Sequence, residues 1–116
     1  MKLQVQDRSL RLRVDEAGLA ALLDGQSLAI DVTHAGRRLL SLVACIGPEL
    51  RFDCEADAWR LVLPAEAIAR YANSLPRRDG LEFELDGGLR LAFEVDVRDS
   101  VRRRRQVSDT SPRRGD

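Results

Sequence analysis

Hydrophobic and polar residues alternate along Leu3-Gln4-Val5 and again along Leu10-Arg11-Leu12-Arg13-Val14. This period of two marks strands that turn one face to a core. Gln6-Asp7-Arg8-Ser9 supplies the turn between them, and a loop of that length sets Leu3 opposite Leu12 and Gln4 opposite Arg11. The pattern returns around Glu55-Ala56-Asp57-Ala58, where Phe52 faces Leu61 and Asp53 faces Arg60 as an opposite-charge pair on the outer side.

Each hairpin leads into a short amphipathic helix. Asp15 is placed to cap the first, with Leu19, Leu22 and Leu23 on one face and Asp24-Gly25 as the stop. Pro64 opens the second at its first turn, where a missing N–H costs nothing. Ile68, Tyr71, Ala72 and Leu75 follow at helical spacing, and Pro76 ends it. A further hairpin then closes each unit. Asp86-Gly87-Gly88 suits a three-residue loop that sets Leu85 opposite Leu89 and Glu84 opposite Arg90, and its counterpart turns near Ala35-Gly36-Arg37. Gly47-Pro48 separates the two units.

The apolar register therefore repeats. Leu3, Val5, Leu10, Leu12 and Val14 recur 49 positions on as Phe52, Cys54, Trp59, Leu61 and Leu63, and Leu19 and Leu22 as Ile68 and Tyr71. Leu28, Ile30 and Val32 align with Leu81, Phe83 and Leu85 at an offset of 53; Leu40, Leu42 and Ala44 align with Leu91, Phe93 and Val95 at 51. The implied fold is α+β: a tandem ββαββ repeat (1–45 and 50–97) with pseudo-twofold symmetry, two similar units packed on each other. Eight mostly antiparallel strands would form a curved sheet or barrel, with two short helices covering its openings and one core filled by the inward residues.

The pattern ends at Val97, so 1–97 reads as a single domain. The segment 98–116, with Arg102-Arg103-Arg104-Arg105 followed by Ser, Thr, Pro and Gly, predicts a disordered Arg-rich tail without enough apolar residues to offset ordering. The 116 residues are 44% hydrophobic and 33% charged with net charge zero, as in an ordinary soluble domain. That charge is divided: 12 basic against 16 acidic residues up to Val97, then seven arginines against three aspartates. No apolar run is long enough to span a bilayer, no leader pattern precedes the first strand, and two cysteines make no disulfide framework. A cytoplasmic protein is expected.

The opening M-K-L-x-V-x-x-x-S-L-R-L-R-V, Met1 to Val14, resembles a family of small uncharacterised bacterial proteins that begin M-K-[IL]-x-[IV]-x-x-x-S-[IL]-R-[LF]-R. The likeness extends loosely to about residue 97 and includes the Leu63-Pro64 step before the second helix. The segment with a lysine and a cysteine that such proteins would carry after the last strand is not evident beyond Phe93. The resemblance implies the fold and brings no activity, cofactor or functional residue with it.

The inward register carries no carboxylate or histidine in its middle, whereas tuned acids and bases need a partly desolvated polar site. A non-catalytic protein-interaction module, binding an unknown protein partner through an outer sheet face or a helix surface, is therefore expected, with no cofactor and no membrane. The first alternative is a nucleic-acid-associated protein whose Arg102, Arg103, Arg104 and Arg105 bind phosphate backbone through counterion release. The second is a small enzyme with a site at His34 and Arg38, the one polar pair that keeps the inward parity at a hairpin rim. Cys54 stands at the position of Val5 and reads as a small buried hydrophobe; Cys45 follows a strand end. Glu82, Glu84, Glu94 and Asp96 crowd an outer strand face that could hold a divalent cation or a basic partner.

Overall fold

The structure, a computed structural model, describes residues 1–76 and 79–97. β1 (Lys2–Gln6) and β2 (Ser9–Asp15) form the first hairpin, with Leu3 opposite Leu12 and Gln4 opposite Arg11. The strands run further into the turn than the alternation indicates, because Gln6 pairs with Ser9 and only Asp7 and Arg8 remain as loop. β5 (Arg51–Glu55) and β6 (Ala58–Pro64) repeat this arrangement, with Phe52 opposite Leu61 and Asp53 opposite Arg60. Asp53 takes its ion pair from Arg51 at 3.3 Å, along its own strand and not across it.

α1 (Glu16–Leu23) starts where the Asp15 carboxylate accepts the Gly18 N–H at 2.7 Å, satisfying one donor that the helix cannot satisfy itself. Leu19 and Leu22 are buried; Leu23, the last helical residue, turns outward and is 41% exposed. α2 (Ala65–Asn73) begins just after Pro64, which stands at the cap and also ends β6. Its Ile68 and Tyr71 are buried, and Tyr71 meets Phe93 edge-on with ring centroids 6.0 Å apart. The helix stops at Asn73, before Pro76, and the Ser74 hydroxyl donates to the Tyr71 carbonyl at 2.8 Å.

β3 (Leu28–His34) and β4 (Arg37–Gly47) turn through Ala35 and Gly36, both at positive φ. β7 (Leu81–Glu84) and β8 (Arg90–Asp96) turn through Asp86-Gly87-Gly88, with both glycines at positive φ and Glu84 opposite Arg90 as the spacing requires.

The strands form two open four-stranded sheets, β1-β2-β8-β7 and β3-β4-β6-β5, which do not close into a barrel. Each sheet takes one hairpin from each half of the chain, joined by parallel central pairs, β2 with β8 and β4 with β6. The halves are thus interleaved, and neither ββαββ unit packs as a separate body on the other. The parallel pairs also set the repeat. Leu10 lies beside Leu91 as Trp59 lies beside Leu42, and Leu12 beside Phe93 as Leu61 beside Ala44. β4 and β8 are therefore related at an offset of 49, two residues from the alignment that maximises sequence likeness. The offset of 53 holds for β3 and β7, since Leu28 faces Ala44 as Leu81 faces Phe93. Four extra residues before β7 are compensated by four fewer in its turn.

One cluster fills the space between the sheets. Leu12, Val14, Leu42, Leu61, Leu63, Leu91 and Phe93 come from the four central strands, and Leu22, Ile68 and Tyr71 from the helices, which touch each other. The outer strands contribute less. Val5 is 60% exposed and Val32 41% exposed, and Cys54 is exposed as well. These inward-facing positions lie on edge strands with a neighbour on one side only, so parity aims them at the core without covering them.

Candidate functional site

β1 and β3 are edge strands of different sheets, and so are β5 and β7. Where each pair runs past the other, an open groove forms. The β1/β3 groove, about 640 Å³, is lined by Leu3, Val5, Ile30, Val32 and Leu40 together with Lys2, Arg11 and Arg13. The β5/β7 groove, about 650 Å³, is lined by Leu50, Phe52, Cys54, Leu85 and Leu89 with Arg51, Asp53, Glu84 and Asp86. They are counterparts under the pseudo-twofold: Leu3, Val5, Val32 and Leu40 correspond to Phe52, Cys54, Leu85 and Leu89.

The two grooves differ in shape. The short turn after β7 folds Leu85 down to 8% exposure, whereas β3 and β4 continue past the equivalent position. A register shift between Val32 and Thr33 leaves Leu39 without a cross-strand partner, and Leu39 is 57% exposed. Residues 31–39 are all exposed, so this hairpin projects from the body. Of the four large hydrophobic side chains that stand exposed among the described residues, Val5, Val32 and Leu39 lie at this one end and Leu23 on α1. Such clustering of apolar surface beside uncovered strand edges marks a place where another chain can add.

The grooves differ in charge as well. No carboxylate lines the β1/β3 groove, and the adjoining hairpin carries Arg37 and Arg38 against the single carboxylate of Asp31. Arg13 and Arg11 reach Glu94 on the outer face of their sheet at 2.9 and 3.5 Å. The β5/β7 groove holds three carboxylates to one arginine. There the Cys54 thiol is held above its ordinary pKa, first by partial burial and then by the negative charge of Asp53.

The residues singled out in the sequence are distributed differently from expectation. The register shift separates His34 from Arg38: His34 faces Arg37 and Arg38 faces Thr33, and successive positions on a strand point to opposite faces. Of the acidic face, Glu94 is engaged by the two arginines, and no group of three His, Cys, Asp or Glu suited to a metal forms among the described residues. Cys54, equivalent to Val5, shares its exposure instead of being buried. Cys45 faces Val62 on the other side of the same sheet, apart from Cys54. Arg102, Arg103, Arg104 and Arg105 lie outside the described residues. Among the described residues no helix is long and apolar enough to cross a membrane. Alternation alone could not separate the open groove from the core, since Val5 and Leu12 carry the same inward parity.

No family model matches the chain, and no curated protein matches it.

Proposed function

We propose that this protein is a non-catalytic interaction module whose docking surface is the β1/β3 groove with the projecting β3–β4 hairpin. The partner is a protein surface that combines apolar and acidic side chains on an extended strand. The carrying observation is the collection of Val5, Val32 and Leu39 at one end, beside two strand edges with free backbone groups. Strand addition satisfies those groups, alternate apolar side chains of the incoming strand cover Leu3 and Val5, and Lys2 with the hairpin arginines selects for carboxylates.

The test uses a short peptide alternating glutamate and valine, followed by amide chemical shifts. Its addition should move the amides of 2–6 and 28–34, and a peptide alternating lysine and valine should not. Val5→Lys should abolish the shifts. Equal response to both peptides, or shifts confined to α1 and α2, would refute the reading.

A further inference from the structure

The chemistry required of that partner is present on this chain. The β5/β7 groove has an apolar floor, and Asp53, Glu84 and Asp86 give it an acidic rim. We propose that the basic β1/β3 end of one copy docks on the acidic β5/β7 end of the next, a head-to-tail contact between identical chains. This rests on the reading of the β1/β3 end as the docking surface and names its occupant.

Three observations support it. The first is a charge difference between equivalent positions: Gln4 and Gln6 on β1 become Asp53 and Glu55 on β5, and Arg13 on β2 becomes Val62 on β6, while Lys2 and Arg11 keep their sign as Arg51 and Arg60. The second copy of the repeat is thus the more acidic at this place. The second is the availability of the charges. Arg37 and Arg38 on the hairpin make no ion pair among the described residues, and neither do Glu84 and Asp86 at the groove. Complementary charges of this kind orient and accelerate encounter and exclude the like-charged pairing of basic end with basic end. The third is placement. β1 and β3 form one margin of the two sheets and β5 and β7 the opposite margin. A molecule can therefore engage a neighbour at each end at once. The contact is heterologous, since different patches meet, and it propagates instead of closing as a twofold dimer. Leu39 at the projecting hairpin is the apolar side chain placed to reach the floor of Phe52 and Leu89 in the neighbour.

Sedimentation velocity of the full chain across a concentration series reads the outcome. At low salt the weight-average mass should rise through successive multiples of the monomer, and high salt should reverse this. Arg37→Gln with Arg38→Gln should weaken association at least about tenfold, and Asp53→Asn with Glu84→Gln should do the same. All four positions are exposed, and unchanged melting temperatures would show that both variants fold. The decisive arm is the equimolar mixture of the two double variants. Each keeps the surface that the other lacks, so the mixture should form a 1:1 dimer that grows no further.

A chain that stays monomeric at low salt at every concentration overturns the proposal. So does a wild type that associates while the mixture does not, because that result belongs to a twofold contact. Binding of the glutamate–valine peptide to 2–6 and 28–34 in a chain that stays monomeric would remove the second copy and leave the docking surface standing. Failure of the peptide alongside a dimeric mixture would remove strand addition and keep the head-to-tail contact.

Discussion

Leu12→Ala and Val5→Ala separate the core from the open groove. Both residues are apolar, both point inward by parity, and they sit on adjacent strands of one hairpin. Leu12 is fully buried, in the middle of its sheet between β1 and β8. Its truncation removes three carbons, worth about 2.4 kcal/mol at the usual transfer value. The neighbours Phe93 and Leu61 are held by their own strands and relax only in part, so the cavity left behind brings the cost to about 3–5 kcal/mol. A domain of this length has a total stability of about 5–15 kcal/mol, so the loss is a large share of it. Val5 is 60% exposed and loses two carbons that were already mostly in water, which limits the cost to about 0.5–1 kcal/mol. Urea unfolding read by the single tryptophan, Trp59, measures both, and a fall in the midpoint with unchanged slope identifies a true stability change. Comparable losses for the two variants would mean that β1 is covered on its inner face. The groove, and the docking surface built on it, would then not exist.

Asp15→Ala removes the carboxylate that caps α1 and should cost about 1 kcal/mol in thermal or urea melts, with Asp15→Asn recovering most of it; no loss would mean the cap contributes nothing to stability. Arg60→Ala should cost under about 1 kcal/mol, because Asp53 is already paired with Arg51 and these side chains are well exposed. A larger loss than for Leu61→Ala would invert the facing of the whole β5–β6 hairpin. Alkylation of Cys54 should follow a thiolate titration displaced above that of a free cysteine. Asp53→Asn should move it part of the way back, since it removes the second of the two causes and leaves the burial. Titration at or below the free-cysteine value would refute that environment.

The hairpins, the registers of three of them, the Asp15 cap of α1 and the turn glycines were legible along the chain, because each depends on residues close in sequence. Alternation gives strand facing, two or three turn residues fix register, and a carboxylate before a helix finds its N–H three positions on. The existence of a repeat was legible for the same reason. The sharing of sheets between hairpins was not. A strand of period two offers the same apolar face to any partner, so the local pattern is equally content with β2 beside β4 or beside β8. The parallel pairs β2 with β8 and β4 with β6 were chosen by packing of the whole. That choice fixed the offset of 49 between β4 and β8 and made β1, β3, β5 and β7 the edges. Edge position then decided that Val5, Val32 and Cys54 stay open while Leu12, Leu42 and Leu61 are buried. The register shift beside Val32, which alternation does not reveal, parts His34 from Arg38. Sequence sets which face of each strand is apolar; only the assembled sheets determine how much of that face is covered, because coverage is supplied by neighbours distant along the chain.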